Sequence, residues 1–126
     1  MKRAVVTGAA GGMGRAIASR LVADGCLVVG LDIDADGLKA TSAEIGDGFV
    51  GKAVDLTDAE AITTTFDAIA SEHGDIDILV NNAGTCFMSD FPDIPTKEFE
   101  RQMGINFSSA FHCCQQAVKQ MLRRDG

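Results

Sequence analysis

Short apolar runs alternate along this chain with longer segments whose apolar residues return every three or four positions. Ala4-Val5-Val6 has the length of a strand, and Met13, Ile17 and Leu21, four residues apart, line one face of a helix that Gly25 closes. Leu27 to Leu31 is a second apolar run, ending at Asp32, and Leu38 to Ile45 predicts a weaker helix. Phe49 to Val54 reads as a third strand. The spacing Thr57-Asp58-Ala59-Glu60 is that of a capping box, with Thr57 and Glu60 satisfying each other's free amides ahead of a helix carrying Ile62, Phe66 and Ile69. Ile76 to Val80 is a fourth strand, and Asn81 opens a loop that runs to Pro95. In the last helical stretch Phe107, Ala110, Phe111, Cys114, Val118 and Met121 fall at helical offsets, and the stretch ends near Arg123-Arg124-Asp125-Gly126. Strands that are apolar throughout and alternate with helices predict a parallel sheet covered on both faces, with right-handed crossovers and with the strands placed in the order 3, 2, 1, 4.

Composition narrows the picture. A chain of 126 residues suits one domain, residues 1–126, with no internal linker or repeat. A net charge of −7 provides no basic footprint, so neither nucleic acid nor an anionic membrane surface is an expected partner. The apolar run after Lys2-Arg3 stops at Thr7-Gly8, too soon for a signal peptide, and no stretch reaches the ~18 residues of a membrane helix. Cys26, Cys86, Cys113 and Cys114 show neither disulfide nor ligand spacing, which points to reduced thiols in a cytoplasmic protein. No metal site is expected. His73 and His112 read as structural or exposed, and Cys86 lacks an activating base in the sequence.

The first strand runs directly into Thr7-Gly8-Ala9-Ala10-Gly11-Gly12-Met13-Gly14. A sharp strand-to-helix turn aims free N–H groups and the positive helix end at one point, which suits a pyrophosphate. Gly8 allows the turn, Gly12 lets backbone approach the phosphates, and Gly14 permits close packing of helix on strand. Asp32, at the end of the second apolar run, can accept hydrogen bonds from both ribose hydroxyls. Taken singly, each residue has a plainer reading. Asp32 and Asp55 could be solvated strand-end carboxylates, with Asp34 and Asp36 in a solvated loop; Asn82 could be a turn residue, and Asn106 could bond helix backbone and bend it.

Taken together, Thr-Gly-x-x-x-Gly-x-Gly at Thr7–Gly14, Asp55-Leu56, Asn81-Asn82-Ala83-Gly84 and Asn106 in Ile105-Asn106-Phe107-Ser108-Ser109 resemble, in order, the motifs of the short-chain dehydrogenase/reductase family. The resemblance implies a doubly wound, Rossmann-type α/β fold with strands in the order 3-2-1-4. It implies a dinucleotide site comprising Gly8, Gly12, Met13, Gly14, Asp32, Asp55, Leu56, Asn82, Ala83 and Gly84. Asp55 and Leu56 would contact adenine, Asn82 to Gly84 would border the ribose and nicotinamide, and Asn106 would hold a water in a proton relay. The substrate class implied is an alcohol or carbonyl compound.

Asp32 would repel a 2′-phosphate, and position 11, basic in NADP-using members, is glycine, so NAD(H) is the expected cofactor. Arg15 reads as a surface residue of the first helix. The family's second half carries a fifth strand ending in serine, a Tyr-x-x-x-Lys helix and a substrate loop; none is present, and the chain contains no tyrosine. The chain therefore reads as a cofactor-binding half, truncated before the fifth strand and not competent alone for hydride transfer. An exposed fourth-strand edge and apolar residues such as Phe107, Phe111 and Val118 then predict a homo-oligomer. The alternative is a stand-alone NAD-binding or self-associating module without turnover. Another phosphate ligand fits less well, because Gly-Lys-Ser/Thr is absent.

Overall fold

The computed structural model describes residues 1–124. Its elements are β1 (Arg3–Thr7), α1 (Gly12–Ala23), β2 (Leu27–Asp32), α2 (Ala35–Ile45), β3 (Phe49–Ala53), α3 (Ala59–His73), β4 (Ile78–Val80), a 3-10 turn (Phe91–Asp93), α4 (Thr96–Met103), a π-helical turn (Gly104–Ser108) and α5 (Ser109–Leu122). All pairings in the sheet are parallel, in the order β3-β2-β1-β4. The expected topology is therefore the observed one.

The period of two along the strands divides the core into two layers. Ala4 and Val6 of β1 and Val28 of β2 pack with Ala18 of α1, Leu38 of α2 and Phe49. Val5, Val29 and Leu31 face the other way, onto Ile62, Phe66 and Ile69 of α3 and Cys113 and Ala117 of α5. Both faces of β1 and β2 are thus covered by helices, which is why these strands carry so little polarity.

Several expected details differ. The capping box does not form: Asp58 caps α3 by accepting from the amides of Glu60 and Ala61, while the Thr57 hydroxyl donates to Asp55. Asp34 and Asp36 do not form a solvated loop, because the Asp34 carboxylate caps α2 by accepting from Gly37 N–H and Asp36 lies in its first turn. β4 begins at Ile78 rather than Ile76, whose N–H is bound by the Gln120 side chain of α5. Met13 does not lie on the inner face of α1 but is 75% exposed; the helix instead buries Gly14 and Ala18, small residues that let it approach the sheet.

The last helix presents Phe111 and Val118 outward, at 57% and 49% exposure, with Phe107 of the preceding π-helical turn at 66%, as expected. Its core face is Cys113, Gln116, Ala117 and Gln120. Gln120 is stable there because its Oε1 accepts from Ile76 N–H and its Nε2 donates to the Phe66 carbonyl. The expected helix end at Arg123-Arg124 follows Leu122, while Asp125 and Gly126 lie outside the described residues.

Candidate functional site

The carboxyl ends of the four strands converge where the chain order reverses between β1 and β4. Open parallel sheets form a crevice at such a point, because the connections from adjacent strands leave toward opposite faces. Here a cleft of about 270 Å³ is lined by Gly8, Asp32, Val54, Asp55, Leu56 and Ala83, among others.

The floor of the crevice is built around Thr7, the last residue of β1. Its buried hydroxyl accepts from the backbone N–H groups of Asn82 (3.0 Å) and Ala83 (2.9 Å). The Asn82 amide returns the connection by donating to the carbonyls of Thr7 (3.2 Å) and Gly8 (3.3 Å). These bonds tie the exit of β4 to the exit of β1, so Asn82 lies beneath the cleft and does not line it. Thr7 had no side-chain role in the sequence reading. The available signal was a hydroxyl at the end of an otherwise apolar run.

After Thr7 the chain turns through Gly8, at φ 70°, whose N–H donates to the Leu31 carbonyl at 2.7 Å. Gly14 packs onto this turn so closely that a Cβ there would collide with the Gly8 carbonyl and the Asn82 amide. Gly12, at φ 58°, faces open space. No side chain caps α1 and no acidic residue lies in its first turn, in contrast to the aspartate caps of α2 and α3. Its first N–H groups are left as donors toward the turn.

Two carboxylates flank the cleft. Asp32 accepts from Ala10 N–H through Oδ2 and from Asp34 N–H through Oδ1, each at 3.1 Å. Asp55 accepts from the Thr57 hydroxyl (2.7 Å) and the Thr57 amide (3.0 Å) through one oxygen. Those bonds hold its carboxyl below the ordinary aspartate value. Arg15 is not the surface side chain expected. It is half-buried, with its guanidinium donating to the Ala10 carbonyl at 2.7 Å and the Thr41 hydroxyl at 2.9 Å, and pairing with Glu44.

At the opposite rim, Asn106 sits in the π-helical turn. Its amide brackets one residue: Oδ1 accepts from Thr85 N–H at 2.7 Å and Nδ2 donates to the Thr85 carbonyl at 2.9 Å. The bonds go to the loop after β4, not to its own helix. Ile33, Thr85, Arg101 and Ile105 complete the lining. Sequence reasoning missed Ile33 and Arg101, although Ile33, an apolar residue directly after Asp32, could have been noticed; it is 71% exposed. Arg101 is bound to Glu98 and reaches Thr85. Gly84 lines the cleft and Gly12, Met13, Gly14 and Asn106 do not. Among the described residues no group of three or more His, Cys, Asp or Glu side chains is placed to hold a metal ion.

A parallel sheet reversing its order between β1 and β4, with a glycine turn and two carboxylates at the strand ends, defines a nucleotide-binding fold of Rossmann type. The chain belongs to the short chain dehydrogenase family, whose model matches residues 2–126. Members of this oxidoreductase family normally bind a nicotinamide dinucleotide. The chain is 38% identical to a D-threitol dehydrogenase of Mycolicibacterium smegmatis, over 99% of this chain and 49% of the relative. It is 37% identical to a 3-oxoacyl-(acyl-carrier-protein) reductase of Haemophilus influenzae, over 98% of this chain and 51% of the relative. A solved Serratia marcescens short-chain dehydrogenase/reductase mutant superposes with a TM-score of 0.88 at 28% identity, covering 94% of this chain and 50% of that one. The chain thus spans about half the length of these relatives.

Proposed function

We propose that this chain, as a single domain, is the cofactor-binding half of an NAD(H)-dependent oxidoreductase that interconverts an alcohol and a carbonyl compound. The observation that carries the reading is Asp32, anchored by two backbone amides at the end of β2 and lining the cleft. The residues present fit a dinucleotide. The uncapped start of α1, through Gly12, Met13 and Gly14, offers N–H donors to a pyrophosphate over an open glycine cradle. Asp32 offers lone pairs to the ribose hydroxyls, Asp55 and Leu56 receive the adenine, and Ala83 and Gly84 border the inner ribose, with Asn82 holding them to the glycine turn. A bound nicotinamide would accept hydride from the carbinol carbon of an alcohol in its oxidised form, or give hydride to a carbonyl carbon in its reduced form. This chain's own part is binding and orientation, with Asn106 holding the Thr85 segment on the nicotinamide side.

NAD(H) is favoured over NADP(H) because a 2′-phosphate would meet the Asp32 carboxylate, while Arg15, the nearby cation of the turn, is engaged by Ala10, Thr41 and Glu44. With no tyrosine among its 126 residues, the chain supplies no tyrosine acid, and alone it is expected to bind without turnover. Self-association is supported by the exposed Phe107, Phe111 and Val118, and a cytoplasmic setting by four free thiols. Calorimetric titration tests the reading: NAD⁺ should bind more tightly than NADP⁺, and Asp32→Ala should narrow the gap. Equal affinities in the unmodified chain would overturn it.

A further inference from the structure

Thr41 is a fully buried hydroxyl on α2, outside every family motif, and it occupies the centre of a directed chain of hydrogen bonds. Arg15 Nε donates to Thr41 Oγ1 at 2.9 Å. The hydroxyl donates in turn to the Ala9 carbonyl at 2.8 Å, the Gly37 carbonyl of its own helix lying at 3.1 Å. Ala9 C=O and Ala10 N–H belong to one peptide unit, and that N–H donates to Asp32 Oδ2 at 3.1 Å. A guanidinium thus stands at the donor end and a carboxylate at the acceptor end, with a hydroxyl and a peptide dipole aligned between them. Such an arrangement polarises each member and is charge-assisted at both ends. Arg15 Nη2 also grips the following carbonyl, Ala10, at 2.7 Å, so consecutive peptide units of the glycine turn are clamped.

We propose that Arg15 and Thr41 are positioning residues for Asp32: by fixing the Ala9–Ala10 peptide they set the carboxylate in the orientation that accepts two vicinal ribose hydroxyls. The proposal rests on the NAD(H) reading above and extends it to residues that never touch the ligand. Thr41→Val keeps the shape but removes the hydroxyl, leaving the Ala9 carbonyl and Arg15 Nε without their partner. Loss of orientation penalises a ligand that needs both Asp32 oxygens, and hardly affects one that the carboxylate already repels.

The test is calorimetric titration of Thr41→Val, Arg15→Gln and Thr41→Ser with NAD⁺ and NADP⁺, alongside amide hydrogen exchange at Ala10 in the ligand-free chain. Thr41→Val and Arg15→Gln should each weaken NAD⁺ about tenfold, as loss of a charge-assisted hydrogen bond predicts, with NADP⁺ changed far less. Ala10 exchange should speed up in both variants, and Thr41→Ser should restore both properties. Arg15→Gln, at a half-buried site, serves should Thr41→Val fail to fold. An equal loss of both cofactors, or an unchanged ratio in a folded variant, overturns the proposal, as does unaltered Ala10 exchange. A wild-type chain without preference for NAD⁺ overturns the ribose reading instead, and the exchange measurement then judges the clamp separately.

Discussion

At the residue scale the site depends on short polar side chains that satisfy backbone groups at strand ends. Asp55 illustrates the energetics. Its carboxyl lies below the ordinary aspartate value of 3.8 because Thr57 donates to it twice. A lowered folded value means that the group's contribution to stability is complete above about pH 4 and is lost as pH falls through the folded value. Thr57→Val should therefore raise the Asp55 midpoint in a carboxylate NMR titration and flatten the acid limb of the stability profile; an unmoved midpoint would reject the assignment. Asp55 and Asp32 were legible in the sequence as acidic residues ending apolar runs. Their anchors were less so, because Ala10 and Asp34 bind Asp32 through backbone N–H groups that every residue possesses, and the Thr57 hydroxyl that binds Asp55 also had the spacing of a helix cap. Arg15 was misjudged for a related reason: its partners Thr41 and Glu44 lie on another helix.

At the element scale two connections fix how the elements pack. Thr7 and Asn82 join β1 to β4 through bonds between residues 75 positions apart. Thr7→Val should cost about 2 kcal/mol in denaturant unfolding, since it strands the N–H groups of Asn82 and Ala83, and Thr7→Ser should restore most of the loss. The second connection is α5 on α3, where Gln120 and Cys113 are buried. Burial, with Cys114 adjacent, pushes the Cys113 thiol up to about 11 from 9.0. The unfolded thiol ionises first, so stability falls as pH rises from 9.0 toward 11, a slope that Cys113→Ala should remove. At neutral pH thiol labelling should modify the exposed Cys86 and Cys114 rapidly and Cys113 only on unfolding. The apolar spacing of α5 identified its exposed side, not its buried one, because its core face consists of small and amide residues whose partners lie on α3 and before β4.

At the scale of the whole molecule, a chain that spans about half the length of its relatives carries a cleft at the strand ends and an apolar outer surface on α5. Sedimentation at tens of micromolar should show an assembly that Phe111→Glu with Val118→Lys reduces toward the monomer; a monomeric parent chain would reject self-association through this face. The sequence by itself determined the alternation of strand and helix, the order of the sheet, the glycine turn and the two carboxylates. Each depends on local periodicity or on a short motif at a fixed spacing, and a parallel sheet admits few ways to connect such units. Only the tertiary structure decided which hydroxyls and amides hold those groups in place. Thr7 to Asn82, Asn106 to Thr85 and the Arg15–Thr41–Ala9 chain join polar atoms that fall within hydrogen-bonding distance only once the helices have closed over both faces of the sheet.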